Sequence, residues 1–352
     1  MPPLPSLLGI PLEVRAMIIL LAAQAPQSTL PDPGELHSQL RRTLDRAPLA
    51  YSHREQTRRV LFPAHPAANP ALPLLLANRQ LHDETLDTLR RAFPASSRPS
   101  VVYTADIVYL TDYTLWPTWL SVPARAPHVD TVHAQFRIFG CPAAHRLDEP
   151  PRGMFSGGAG GPPPVVWPFY HLLVGSMTSG RHAPCGLPFA ANRLVLDFLP
   201  APQPGGLLPL GRVVGFGRAA ANAGGPLPPE NVSEGFGLRR ALEAQCRGDP
   251  GIEAAARLMT FVVNQLEHLS RLNDSVFEYG KKLHENIGVI EVRLDGKLHE
   301  TIDLGQCLAN MQPWTPSYAR DKWNASFLPW RREVLARRRE LGMAAQDSPT
   351  LS

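Results

Sequence analysis

Residues 289–304 read VIEVRLDGKLHETIDL, two runs of alternating apolar and polar residues that meet at Asp295-Gly296. The alternation has the period of a strand. An Asp-Gly pair tolerates the two positive φ angles of a type I′ turn, so the segment predicts a β-hairpin. A one-residue slip of register would turn its apolar side to water. Earlier in the chain, VVYTADIVYL (101–110), VDTVHAQFRIF (129–139) and NRLVLDFL (192–199) are also rich in β-branched and aromatic residues and read as strands. In the second of these, Val132, Ala134, Phe136 and Ile138 fall on one face. The fragments VYL, VHAQF, LVLDF and VIEVRL admit a further expectation: an irregular, leucine-rich-repeat-like succession of helix then strand, which would give a curved parallel sheet.

Helical periodicity fills the intervals. PFYHLLVGSM (168–177) reads as a short helix, and so does Leu115 to Val122 around Trp116 and Trp119. Asp249 as N-cap and Pro250 at the first helical position open one long helix through residue 285, whose middle, RLMTFVVNQL, is apolar on most sides and therefore packed on more than one face. Residues 318–343 read as a C-terminal helix whose basic end suits its own dipole. In the first third, Pro11 precedes a short, mostly buried helix over Leu12 to Gln24, and Asp32, Pro33 and Glu35 open a second. In LPLLLANRQLHDETLDTLRRAF (72–93), Leu74, Leu75, Asn78, Leu81, Thr85 and Leu89 form one stripe, while Arg79, Asp83, Glu84, Asp87 and Arg91 point outward.

The expected fold class is thus α/β (α+β): a helical segment over residues 1–95 feeding a sheet with covering helices over 96–343. Pro/Gly-rich stretches near 140–165 and 200–230 have compositions that build no core and read as disordered insertions, as does the tail 344–352.

Hydrophobic residues make up 44% of the 352, enough for a sizeable core. Only four of the 35 basic residues are lysine, so the net charge of +4 reads as the arginine bias of a GC-rich coding sequence rather than a nucleic-acid surface. Cys141, Cys185, Cys246 and Cys307 are far apart, which fits reduced thiols in the cytoplasm or nucleus. Glu13 and Arg15 break the N-terminal apolar stretch, which makes it a poor signal peptide, and no run reaches the roughly 18 apolar residues of a membrane span.

IPLEVRAMIILLAAQ (10–24) resembles the first helix of the F-box, and more closely the fungal F-box-like proteins of pattern LPxEIRxMIY. The second element of that family, roughly LLxxNRQIHxEALxxLY, is matched by LLLANRQLHDETLDTLRRAF (74–93), including Asn78, Arg79, Gln80, Glu84 and Phe93. The two segments cover about the first quarter of the chain. They depart from the family in reading Pro-Leu-Glu for Leu-Pro-x-Glu and in the long insertion between them. The resemblance implies a non-catalytic substrate adaptor of a Skp-cullin-F-box ubiquitin ligase, whose Pro11, Leu12, Glu13, Val14, Met17, Ile18 and Leu21 meet a Skp-type adaptor protein while the body holds an unknown protein substrate. The alternative is a stand-alone scaffold in which the same helix is buried as core.

Motifs of chemistry are sparse. GRVVGFGRAAANAGG (211–225) has the outline of a glycine-rich phosphate loop but lies within Pro/Gly-rich sequence, without the strand that a dinucleotide fingerprint needs. Cys141 with His145 and His182 with Cys185 have loose spacings for zinc. There is no G-x-S-x-G, H-E-x-x-H or P-loop. Asp83 and Glu84 diverge by about 100° on a helix and read as solvated rather than as a catalytic pair. In WRREVLARRRE (330–340) the glutamates interrupt the positive charge, so a surface helix is preferred to a nucleic-acid contact. The expectation is a non-catalytic chain without cofactor or metal site, with an enzyme of unrecognised type as the less favoured alternative.

Overall fold

The computed structural model describes residues 7–25, 41–43, 59–64, 71–92, 101–110, 114–123, 126–139, 166–178, 189–200, 250–272, 277–311 and 321–343. Most of the helix expected from Asp32 through residue 47, most of both Pro/Gly-rich stretches, the glycine-rich loop and the Cys/His pairs at 141–145 and 182–185 lie outside them, as does the tail; where that helix is described, Arg41–Arg42 is instead a short strand paired with Phe62–Pro63.

A 3-10 turn, Leu7–Gly9, precedes α1 (Leu12–Gln24). Two short strands, β1 (Arg41–Arg42) and β2 (Phe62–Pro63), pair with each other ahead of α2 (Leu72–Ala77) and α3 (Arg79–Ala92). The body follows with β3 (Val102–Leu110), β4 (Leu115–Ser121), β5 (His128–Phe139), α4 (Val166–Thr178), β6 (Ala190–Phe198), α5 (Pro250–Ser270) and α6 (Phe277–Asn286). It closes with β7 (Ile287–Leu294), β8 (Lys297–Asp303), α7 (Leu304–Asn310) and α8 (Asp321–Glu340). The fold is mixed α/β.

Six strands form one sheet in the order β4-β3-β5-β6-β7-β8. The middle four, β3, β5, β6 and β7, are parallel and adjacent in chain order, while β4 and β8 run antiparallel at the two edges. The four fragments named as a possible repeat are therefore parallel neighbours. Their strands begin at residues 102, 128, 190 and 287, at unequal intervals, and the antiparallel edges make the whole a mixed sheet.

The hairpin forms as expected. Asp295 and Gly296 have φ of 50° and 74°, the two left-handed positions of a type I′ turn. Inward residues of the strands, including Ile107, Val132, Phe136, Leu196 and Val292, share one core with Phe169 and Leu173 of α4, Phe261, Val262 and Leu266 of α5, and Leu283 of α6. Because side chains alternate along a strand, the intervening residues face the other way. There Arg137 grips the fully buried Asp106 with two bonds, at 2.7 and 2.5 Å, and Glu291 pairs with Arg193 at 3.1 Å and Arg293 at 2.6 Å.

Other helix expectations in the body also fail. Leu115–Ser121 is strand β4, in which Trp116 and Trp119 lie on opposite faces, one in a small cluster with Val108 and Leu110 and the other against the main core. Their spacing of three reads as helical, but Pro117 suits an edge strand, where no ladder hydrogen bond is lost. The long helix is two. Leu272, buried with φ of 52°, ends α5 where no glycine marks a stop, and α6 packs back against it.

Candidate partner-binding site

α1 carries apolar residues on every side, so its apolar pattern alone does not decide which side faces inward. Arg15, Ile19 and Ala23 are buried, and Ile19 and Ala23 have no exposed surface at all. On the opposite side Val14, Met17, Ile18 and Leu21 are exposed, Met17 by 64% and Leu21 by 67% of their surface. Leu12 is exposed too, as are Pro11 and Glu13 at the helix start. The expectation of a mostly buried helix is thus corrected. The helix docks by a narrow strip centred on Ile19, and the stripe of Val14, Met17, Ile18 and Leu21 is left to solvent.

The strip is anchored on α3. Arg15 reaches Glu84 through two parallel bonds, Nε to Oε2 and Nη2 to Oε1, each 2.8 Å. Its remaining nitrogen, Nη1, donates to the carbonyls of Leu8 at 2.7 Å and Ile10 at 2.8 Å. A planar guanidinium suits this fork geometry, and burying its charge is sustainable because every side of it meets an acceptor. Glu84, expected to point outward, instead turns toward α1 and is largely covered. Gln80 donates to the same carboxylate at 2.9 Å, and this bond, with those from Arg15, holds Glu84 below the usual carboxylate range against the opposing push of burial.

The rest of the NRQLHDE segment builds this anchor. Asn78 is extended (φ −165°) and breaks the stretch expected as one helix into α2 and α3. Its Oδ1 accepts the N–H of Leu81 at 2.9 Å, capping α3. His82 donates Nδ1–H to the carbonyl of Leu75 at 2.9 Å, tying the end of α2 to α3. At its far end α1 meets the sheet, where Ser121 Oγ on β4 donates to the Gln24 carbonyl at 3.3 Å.

Sequence reading grouped Val14, Met17, Ile18 and Leu21 on one face of a helix it took as mostly buried, and it missed Arg15 and Glu84 as partners. The available signal was a lone arginine in an apolar helix, which needs an acceptor if it is buried. Among the described residues, no group of three or more His, Cys, Asp or Glu side chains converges as a metal-ligand set, and no helix is long and apolar enough to cross a membrane. Among the described residues the parallel strands follow chain order without reversal.

No protein-family model, curated protein or solved structure matches the chain in the three comparisons made. The fold and site define a mixed α/β protein with an outward-facing apolar helix at its N-terminal end.

Proposed function

We propose that this chain is a non-catalytic adaptor: α1 lies in the groove of a Skp-type protein of a ubiquitin ligase, and the α/β body holds a second protein as the substrate. The observation that carries this reading is the division of α1 into an anchored strip and a bare apolar stripe. Four large aliphatic side chains left in water on one helix are unfavourable for an isolated chain and suit helix-in-groove recognition. The resemblance of residues 10–24 and 74–93 to F-box-like proteins supplies the partner's chemistry. A stand-alone scaffold using α1 as core would need the stripe covered, and its exposure counts against that reading. The same reading puts the protein in the cytoplasm or nucleus, with no nucleic acid or membrane partner.

The test is direct binding of full-length protein to a purified Skp-type adaptor. Wild type is expected to form a complex, and Met17→Asp is expected to lose it while keeping its circular dichroism spectrum. A folded wild type that does not bind the adaptor overturns the proposal.

A further inference from the structure

We infer that Arg15 and Glu84, with Asn78 and His82 behind them, are positioning residues that hold the docking face of α1 in its presented pose; this rests on the docking reading above. The second motif is then not a contact surface but the mount on which the first is fixed. Three observations carry it. The outward stripe and the anchored strip are opposite sides of one helix of only 13 residues, so any roll of α1 that hides the stripe must withdraw Arg15, Ile19 and Ala23. Packing alone would set this roll weakly, since α1 is nearly as apolar outside as inside, and an apolar helix can settle on either side. The guanidinium removes that ambiguity. Its four bonds join α1, α3 and the entry turn at one point, on the strip side of the helix.

Asn78, Gln80 and His82 of the second segment then each have a mechanical task. Asn78 starts α3, which fixes where residue 84 falls along it, Gln80 steadies the carboxylate, and His82 locks α2 to α3. Gln24 and Ser121 pin the other end of α1, so the stripe lies between two tethers. Leu12, Val14, Met17, Ile18 and Leu21 need make no contact within the chain for the pose to hold.

The experiment uses the full chain and two readouts: adaptor affinity, and amide hydrogen exchange of residues 14–21 in the free protein. Arg15→Lys keeps the charge but loses the fork, and Glu84→Gln keeps the shape but loses the charge. Both are expected to speed exchange in α1 by tenfold or more and to weaken adaptor binding by a similar factor, while the amides of β3 and β5 stay protected. Met17→Asp is expected to abolish binding with α1 exchange unchanged, which separates a contact residue from a positioning one. Binding by Arg15→Lys and Glu84→Gln at wild-type affinity overturns the inference, whatever happens to exchange. If wild type itself does not bind, the docking reading falls, and wild-type exchange rates for α1 in Glu84→Gln then overturn the clasp as well. Faster exchange in that case leaves the clasp as the determinant of the α1 pose.

Discussion

The carboxylate of Asp197, near the end of β6, accepts the backbone N–H of Gly296 at 3.0 Å, in the turn that joins β7 to β8. Asp295 N–H adds a second bond to the carbonyl of Phe198, also at 3.0 Å. The hairpin turn is therefore seated on its neighbouring strand as well as set by its own dihedral angles.

Removing that seat should be costly. Asp197→Ala leaves the Gly296 N–H without its acceptor, and a loss of about 1–3 kcal/mol is expected in denaturant unfolding. Burial pushes the Asp197 carboxyl up, but the His133 side chain, the Gly296 N–H and the Arg293 charge together hold it below its ordinary value. A depressed folded-state value means stability that is complete above about pH 4 and declines as pH falls through the folded value. The difference between wild type and Asp197→Ala should accordingly shrink on acidification. An unchanged difference at low pH would show that the contribution is packing rather than charge.

Gly296→Ala tests the turn itself. With φ at 74° and open space where a Cβ would stand, the cost is conformational only, and about 1 kcal/mol is expected from thermal unfolding. Gly280→Ala should be worse. A Cβ there would stand 2.4 Å from the carbonyl oxygen of Leu269, so α6 would have to move off the end of α5. A Gly280→Ala protein as stable as Gly296→Ala would refute the close approach.

Much of the body was legible because strands and amphipathic helices carry their periods openly: Val132, Ala134, Phe136 and Ile138 alternate inward, and Asp295-Gly296 declares its turn. What escaped was decided by tertiary contacts. Trp116 and Trp119 fit a helix or a strand equally by spacing, and only pairing with β3 selects the strand. Leu272 ends α5 in a conformation that no local signal demands. At the candidate site the stripe could be read because four aliphatic residues share a face. Whether that face was buried depended on Arg15 finding Glu84, sixty-nine residues away, a pairing that no local pattern announces.

His284 offers a pH signature. It is fully buried, and Nε2–H donates to the Ser270 carbonyl at 2.9 Å. Burial first, and the Arg338 charge after it, push its pKa down to about 4. The unfolded chain, with a value of about 6.5, binds the proton more readily over this interval. Stability should therefore fall as pH drops from about 6.5 to about 4, by up to about 3 kcal/mol, and this term should level off below that. His284→Gln should unfold at lower temperature at neutral pH yet lose this part of the pH slope. Parallel Tm-against-pH curves for the two proteins would sink the assignment.

Arg338 closes the other end of the molecule. Its guanidinium has no exposed surface and donates to the carbonyls of His284 at 2.9 Å, Ile287 at 2.6 Å and Gly288 at 3.1 Å, bonding α8 to the junction of α6 and β7. Burial lowers its pKa to about 10, so it stays charged throughout the neutral range. Arg338→Ala leaves three buried carbonyls without this donor, and a loss of at least about 3 kcal/mol is expected. Arg337→Ala and Arg339→Ala, at exposed positions on either side, should change stability by no more than about 0.5 kcal/mol. Equal effects at all three would mean that α8 is held by its general basic charge and not by the single buried guanidinium.

The two sides of α1 respond in opposite ways to the same chemistry. Met17→Asp puts a carboxylate into water at a position that is already exposed, and the unfolding free energy should stay within about 0.5 kcal/mol of wild type. Ile19→Asp, two residues on, puts the same group where no surface is exposed and should cost several kcal/mol, enough to free α1 from α3. Urea unfolding followed by hydrogen exchange in residues 12–24 separates the cases. If Met17→Asp destabilises the chain as much as Ile19→Asp, both sides of the helix are core, and an outward docking stripe has no physical basis.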